Sequence, residues 1–158
     1  MTFGLIDERS RQYYTYLKDI FLALENRQRE YNWLITDCEI IAHSDALEQL
    51  NTGDYHFLSG DELTALAEKD DSQWIWGVLT GFEKHIPLDK ILQYPLPDTE
   101  YRGFWENPLM LQHPLSSVEI VPFDSSFVLM LSTQREFIEA FRKAFPKCED
   151  LVDYNNRV

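Results

Sequence analysis

Basic residues are scarce in this chain. Its 158 residues contain 14 Lys and Arg against 27 Asp and Glu, which gives a formal net charge of −13. Proteins that bind nucleic acid neutralise its phosphates with Lys and Arg, and anionic lipid surfaces also attract basic segments. We therefore expect neither nucleic acid nor a membrane among its partners. The same excess of acid favours rapid encounter with basic proteins.

Long apolar runs and cysteines are also few. No run approaches the roughly 20 apolar residues that a membrane helix needs, and the N-terminal residues lack the basic and apolar regions of a secretory signal. The two cysteines, Cys38 and Cys148, are too far apart for a CxxC motif. Reduced thiols are the expected state of such cysteines in the cytoplasm. We therefore expect a cytoplasmic protein.

Enzyme motifs are absent from the sequence as well. The four histidines are dispersed, without the HExxH or Cys/His spacing of a zinc site. The sequence contains no GxSxG nucleophile elbow and no GxxxxGK(S/T) phosphate loop. We therefore expect no metal, no cofactor and no catalytic residue, and we expect that the protein is not an enzyme.

The overall composition is that of a folded domain. Hydrophobic residues make up 44% of the chain and aromatic residues 14%, which is enough for a sizeable core. No repeat or Gly/Ser linker divides the sequence. We predict one α+β domain over residues 1–158.

Hydrophobic periodicity and turn residues predict the order of the elements. Strands are predicted at 2–6, 33–41, 55–58, 72–82, 117–123 and 126–132. Helical segments are predicted at 13–24, 44–50, 60–68, 88–93 and 134–145. This order indicates a mixed or antiparallel sheet with packed helices, and a C-terminal β-hairpin followed by a helix. The last dozen residues are polar and are expected to fray.

Two capping boxes and an apolar stripe support the predicted helices. Ser59 with Glu62, and Thr133 with Glu136, have the spacing of a capping box. The last helix has apolar residues at helical spacing, which predicts that they are buried: Phe137, Ile138, Phe141 and Phe145.

Strict alternation makes predictions for two strands. It places Trp74, Trp76, Val78 and Thr80 on one face of the fourth predicted strand. It also places Asp37 and Glu39 together on one face. Two adjacent carboxylates can serve acid–base chemistry, but a solvated face or a charged edge strand is the favoured interpretation.

The acidic residues concentrate in the middle of the chain. Ten Asp and Glu lie between Asp54 and Glu100 against three Lys, so this part carries −7 of the −13. Such a run is either a solvated helix face or a docking surface for a basic protein. If it is a docking surface, the candidate contacts are Asp61, Glu68, Asp70 and Asp71.

A second candidate surface is the irregular segment 94–117, which contains four prolines. Aromatic residues and Arg are typical of interface hot spots, which makes Tyr101, Arg102, Trp105 and Glu106 candidate partner contacts. Alternatively, Phe104 and Trp105 fold back as a lid on the core. Both interpretations can hold together.

Four segments carry a resemblance to known proteins: WLITDCE, QWIWGVLTGF, YRGFWENPLMLQHPL and VEIVPFDSSFVLMLS. Together they resemble a group of uncharacterised bacterial proteins, some of which look like immunity proteins encoded beside contact-dependent or polymorphic toxins. The resemblance extends from Trp33 to Phe145. It implies a small, acidic, cytoplasmic protein that neutralises a basic toxin domain by binding it, and it implies no catalytic residue.

Three hypotheses for the function follow. The first is an immunity protein, monomeric when free, that occludes a cationic toxin domain such as a nuclease. The second is an adaptor or regulator with another partner. The third is a small hydrolase or transferase whose site assembles only in three dimensions, and converging His and carboxylate groups in a polar cleft would favour it.

The charge makes one prediction that can be measured directly. Without a basic stripe to neutralise phosphates, the protein should not bind DNA or RNA near physiological salt. Fluorescence anisotropy with labelled oligonucleotides measures this, and micromolar binding would contradict it.

Overall fold

A seven-stranded sheet organises the computed structural model, which describes residues 1–8 and 16–158. The strands are β1 (Phe3–Asp7), β2 (Tyr31–Ile41), β3 (Tyr55–Ser59), β4 (Gln73–Glu83), β5 (Val118–Phe123), β6 (Phe127–Ser132) and β7 (Glu149–Asp150). Their order across the sheet is β3-β2-β4-β5-β6-β1-β7. Neighbouring strands are antiparallel. The predicted α+β fold with its C-terminal hairpin and following helix is therefore confirmed.

In the described part of the chain, six α-helices accompany the sheet: α1 (Leu17–Ala23), α2 (Asp45–Glu48), α3 (Gly60–Lys69), α4 (Leu88–Ile91), α5 (Arg135–Ala144) and α6 (Leu151–Arg157). The predicted helix at 13–24 is observed in its second half, whereas Tyr13 lies outside the described residues. Within the described ranges, no helix has the length and apolar character to cross a membrane.

One face of the sheet is covered by α1, α3 and α5. Their apolar residues join those of β2, β4, β5 and β6 in one buried cluster, whose members include Trp33, Leu79, Met130, Phe137 and Phe141. The predicted apolar stripe of α5 is confirmed, because Phe137, Ile138 and Phe141 are buried and Phe145 packs against the same cluster.

Helix α3 begins as the sequence predicts. The Ser59 hydroxyl accepts the Glu62 N–H at 3.1 Å, and the Glu62 carboxylate accepts the Ser59 N–H at 2.9 Å. Gly60 follows directly, and a Cβ at this position would lie 2.2 Å from the Gln28 carbonyl oxygen. A side chain at residue 60 would therefore push α3 away from the turn that precedes β2.

The opposite face of the sheet is covered by the 94–117 segment and by α6. Phe104, Leu109 and Leu151 are buried there against Val121 and Leu129 of the sheet. The 94–117 segment contains one short 3-10 turn, Arg102–Trp105, and is otherwise irregular as predicted. The prediction that Phe104 folds back onto the core is confirmed.

The prediction of a frayed C-terminus is wrong. Asp150 caps α6 by accepting the Asp153 N–H at 3.2 Å, and Leu151 is fully buried. The Asn155 side chain donates to the Phe104 carbonyl at 3.0 Å. Leu151 gives this helix an apolar anchor, and its Asn155 and Asn156 side chains form hydrogen bonds with the 94–117 segment.

Two β-bulges change the predicted faces of β2 and β4. Thr36 pairs with Val78 and Glu39 pairs with Trp76, and the register shifts between these two pairs. It shifts again between Glu39 and Ile40, because Ile40 pairs with Trp74. The second shift leaves Ile75 as an extra residue, so Trp74 and Trp76 turn to opposite faces. Trp74 joins the helix-covered core, whereas Trp76 contacts Phe123. The prediction of one shared face is therefore wrong for Trp74, whereas Trp76 and Val78 lie together on the opposite face.

The second predicted capping box is also wrong. Helix α5 begins after Gln134, and no side chain caps it. The hydroxyl of Ser132 accepts the Gln134 N–H at 2.9 Å and donates to the Ser117 carbonyl at 2.7 Å. This local bond from Ser132 shifts the start of α5 by one residue, so Thr133 is not the N-cap.

Phe141 offers a test of the helix-covered core. Its side chain is fully buried and contacts Phe145 with ring centroids 4.8 Å apart. Phe141→Ala should lower the free energy of unfolding by about 3–5 kcal/mol, because it removes buried apolar surface and leaves a cavity. Urea denaturation measures this loss. A value below about 1 kcal/mol would show that α5 does not pack on the core.

Candidate functional site

A cleft of about 670 Å³ opens between the bulged part of β2 and the 94–117 segment. Its walls are Asp37, Cys38, Glu39, Trp76, Thr99, Glu100, Trp105 and Phe123. A depression of about 450 Å³ shares Asp37 and Glu100 with it and adds Asp54 and Asp98. We call these two depressions together the acidic cleft.

Five carboxylates surround the acidic cleft: Asp37, Glu39, Asp54, Asp98 and Glu100. All five residues are exposed. Among the described residues, no Lys or Arg forms an ion pair with any of them. Like charges that line one cleft repel one another and raise its negative potential.

The bulge in β2 gives the cleft its first wall. Asp37 has a φ of 49°, in the left-handed region that Asp tolerates better than most residues. Its carboxylate accepts two hydrogen bonds from Thr99, from the N–H at 2.9 Å and from the hydroxyl at 2.6 Å. The Thr36 hydroxyl donates to the Pro97 carbonyl at 2.7 Å. These bonds fix the 97–100 segment against β2.

The original interpretation of Asp37 and Glu39 needs correction. β2 is an interior strand between β3 and β4, so it is not a charged edge strand of the sheet. The bulge between Thr36 and Glu39 also breaks the alternation on which a shared face was based. Both residues are exposed, as the alternative of a solvated face predicts, and both line the same cleft.

Aromatic rings form the second wall of the cleft. Trp76 contacts Phe123 with ring centroids 4.6 Å apart, and Trp105 contacts Phe123 at 5.7 Å. Trp105 also contacts Tyr154 of α6 at 6.2 Å, so the C-terminal helix supports this wall. Indole faces beside carboxylates suit an organic cation, which can form ion pairs and cation–π contacts at once.

The one thiol in the cleft is not poised for nucleophilic chemistry. Burial raises the pKa of Cys38 to about 12, and the charges of Asp37 and Glu39 add to this. The nearest hydrogen-bond partner of its sulfur is the Asn51 side chain at 3.9 Å. The thiolate needed for attack is therefore suppressed near neutral pH. Within residues 1–8 and 16–158, no group of His, Cys, Asp and Glu is arranged to hold a metal.

The acids predicted around α3 have different environments. Asp61 and Glu68 are exposed, and both contact Arg29, at 3.0 Å and 3.7 Å. Asp71 is also exposed. Asp70 is buried, which contradicts its prediction as a partner contact. It accepts the His43 N–H at 3.0 Å and the Ser72 hydroxyl.

Asp70 is therefore a structural residue. Burial opposes its ionisation, but hydrogen bonds from Ser44, Ser72 and the backbone N–H of His43 outweigh burial and lower its pKa. A lowered pKa in the folded state stabilises the fold above the ordinary pKa of Asp, and this stabilisation is lost as the pH falls through the folded-state pKa.

The four predicted contacts in the 94–117 segment are only partly brought together. Trp105 lines the acidic cleft, and Arg102 and Glu106 are exposed at either end of the same turn. Tyr101 is half-buried against Phe104, with ring centroids 5.0 Å apart, and its hydroxyl donates to the Met110 carbonyl at 3.2 Å. Tyr101 and Trp105 thus have structural contacts as well as exposed surface.

Sequence analysis counted Asp54, Asp98 and Glu100 among the acids of a possible docking surface but did not single them out as contacts. It did not assign Trp76 or Phe123 to a site. These residues come from separate segments that meet only because the β2 bulge and the Pro97 carbonyl bring the loop to the sheet. The acids of the TDCE run, set inside an apolar strand, were the one local signal of an irregularity there.

The buried Asp70 makes a prediction for stability. Asp70→Asn should destabilise the fold by about 1–3 kcal/mol near neutral pH, because the amide cannot accept all the N–H and hydroxyl donors that face the carboxylate. The difference between wild type and variant should shrink as the pH falls below about 4. Thermal unfolding at several pH values measures it, with Asp54→Asn at an exposed position as the control. Equal stabilities of the Asp70 and Asp54 variants would contradict this role.

Comparison of the chain with protein-family models, with curated proteins and with solved structures found no match.

Proposed function

We propose that the protein is a non-enzymatic cytoplasmic immunity protein, which binds a cationic toxin domain through the acidic cleft and occludes the active site of the toxin. The observation that carries this proposal is the cleft itself, where five exposed carboxylates without ion-pair partners among the described residues face three aromatic rings. The resemblance of four sequence segments to uncharacterised bacterial proteins, some of which look like immunity proteins, agrees with it.

The charges support a basic partner. A cleft lined by one sign of charge raises the local concentration of oppositely charged groups and speeds association. Self-repulsion among the five carboxylates destabilises the free protein locally, and a Lys- or Arg-rich partner removes this repulsion on binding. If the toxin is a nuclease, these carboxylates take the place of the phosphates that its basic active site binds.

The aromatic wall supports a protein partner with Arg. Trp and Tyr are the residues most enriched in the energetic centres of protein interfaces, and a guanidinium stacks on an indole ring while its N–H groups bind carboxylates. In the cleft, Trp76 and Trp105 lie beside Glu39 and Glu100. An Arg side chain that enters there can contact a ring and a carboxylate together.

The α3 surface is a weaker candidate for the same partner. Arg29 already balances part of the charge of Asp61 and Glu68, and Asp70 is buried. We therefore assign the contact to the acidic cleft, and treat the exposed acids of α3 as a solvated surface that contributes only to long-range attraction.

The remaining hypotheses make different predictions. An adaptor or regulator uses the same cleft for a basic partner that is not a toxin, so such a protein would bind without protecting cells. The hydrolase or transferase hypothesis has little support from the cleft. The pKa of the Cys38 thiol is raised, and no histidine lines the depression of about 670 Å³.

Charge reversal tests the assignment to the cleft. The double variant Glu39→Lys and Glu100→Lys should lower the association rate with the toxin domain about tenfold or more at low salt, because it replaces attraction by repulsion at the contact. It should also abolish protection when the toxin is co-expressed. Stopped-flow kinetics at several salt concentrations and a growth assay measure the two effects.

The matched control is the double variant Asp61→Lys and Glu68→Lys, which changes the net charge by the same amount on α3. It should retain protection and most of the association rate. If the cleft variant is folded and still protects, or if the α3 variant loses protection instead, the cleft is not the contact surface. Thermal melting confirms that both variants are folded.

A further inference from the structure

Glu119 of β5 is a buried carboxyl group beneath the 94–117 segment. Its side chain is fully buried, and its neighbours across the sheet are Thr80 of β4 and Leu131 of β6. Glu119 Oε1 and Thr80 Oγ1 are both buried and have no hydrogen-bond partner in the described part of the chain. The other carboxyl oxygen, Oε2, accepts a hydrogen bond from Gln112 Nε2 at 3.3 Å.

Gln112 connects this buried acid to the acidic cleft. Its side-chain amide forms two hydrogen bonds with the backbone of Asp98, accepting the N–H at 2.8 Å and donating to the carbonyl at 3.0 Å. The Asp98 carboxylate then accepts the Glu100 N–H at 2.8 Å. Gln112 therefore holds the segment that carries Thr99 and Glu100 into the wall of the cleft.

We propose that Glu119 is a proton-dependent latch for the acidic cleft, which holds Gln112 and the 98–100 segment in place when it is protonated and loosens them when it is ionised. The inference rests on the proposed function only in that the latched segment forms one wall of the binding site.

The physical reason is the cost of a buried charge. A neutral carboxyl group is tolerated at this position with few hydrogen bonds, whereas a carboxylate requires several donors or water. Strands β4 and β6 enclose Glu119 within the sheet. The 94–117 segment is the covering that can move to admit water when the group ionises.

The direction of the pH dependence follows from the pKa. Burial raises the pKa of Glu119 to about 7, although hydrogen bonds from the side chain and backbone of Gln112 oppose this. Since this value lies above the ordinary one, the latched state is favoured at acid pH. Its advantage is lost as the pH rises through about 7.

The other groups that face the latch either carry no charge or have a pKa that is shifted away from that of Glu119. From β4 and β6 the facing residues are Thr80 and Leu131, which carry no charge. From the loop, Tyr101 has a pKa raised above its ordinary value by burial, then by the charges of Glu119 and Glu106. Burial lowers the pKa of His113, beside Gln112, below its ordinary value of 6.5. The pKa of Tyr101 is thus shifted upward and that of His113 downward, in both cases away from the pKa of Glu119.

Amide hydrogen exchange tests the latch without any partner. In the wild type, protection of the Asp98, Thr99 and Glu100 amides, corrected for base catalysis, should fall about tenfold between about pH 5.5 and about pH 8.5. In Glu119→Gln this change should be less than about twofold, because the isosteric amide stays neutral. Glu139→Gln, which removes an exposed charge from α5, should behave as the wild type.

Gln112→Ala provides the second variant. Without the linking side chain, these amides should be weakly protected at both pH values and should show no pH step. A wild-type pH step that persists in Glu119→Gln or in Gln112→Ala would overturn the proposal, and so would the absence of a step in the wild type.

Binding of a hexa-arginine peptide, followed by tryptophan fluorescence, separates this inference from the proposed function. The latch predicts that the wild type binds several-fold more weakly at about pH 8.5 than at about pH 5.5, and that Glu119→Gln loses this difference. A pH step in exchange with no peptide binding at either pH would contradict the proposed function and leave the latch supported. Binding that is equal at both pH values, with no step in exchange, would overturn the latch and leave the function standing.

Discussion

The acidic cleft depends on the paired bulges in β2 and β4. In a regular pair of strands, Asp37 would extend the ladder, and Trp74 and Trp76 would share a face. Instead, Asp37 adopts a left-handed conformation and its carboxylate binds Thr99, while Trp76 turns toward Phe123. One local irregularity therefore supplies an acid, an aromatic ring and an anchor for the loop.

The acids of this protein occupy three kinds of environment with different consequences. Those of the cleft are exposed and lack ion-pair partners within the described residues, so their charge is available to a partner. Asp61 and Glu68 share Arg29, so part of their charge is balanced within the fold. Asp70 and Glu119 are buried, and their pKa values shift in opposite directions. Several donors lower the pKa of Asp70, whereas burial dominates for Glu119 and raises its pKa.

Much of the fold could be predicted because it is encoded locally. The capping box at Ser59 and Glu62, the turn at 124–126 and the apolar stripe of α5 each depend on residues close in sequence. The errors arose where distant contacts decide. The C-terminal residues form α6 because Leu151 and Asn155 meet the 94–117 segment, and Ser132 displaces Thr133 from the start of α5.

The candidate site was predictable only in part for the same reason. The composition of the 94–117 segment was enough to predict Trp105 as a candidate contact. Net charge, in contrast, does not show that Glu100 is exposed and that Asp70 is buried. Burial, ion pairing and the register of a bulge are properties of the folded chain. Because of these properties, we place the main concentration of available charge at the cleft and not at α3.

The central claim is that the acidic cleft is the contact surface for a basic partner. Chemical-shift mapping of the labelled protein during titration with the toxin domain tests it most directly. The account predicts that the largest shifts fall on Asp37, Glu39, Thr99, Glu100 and the indole N–H of Trp76, with small shifts on α3. Shifts centred on Asp61, Glu68 and Asp71, with the cleft unchanged, would contradict it.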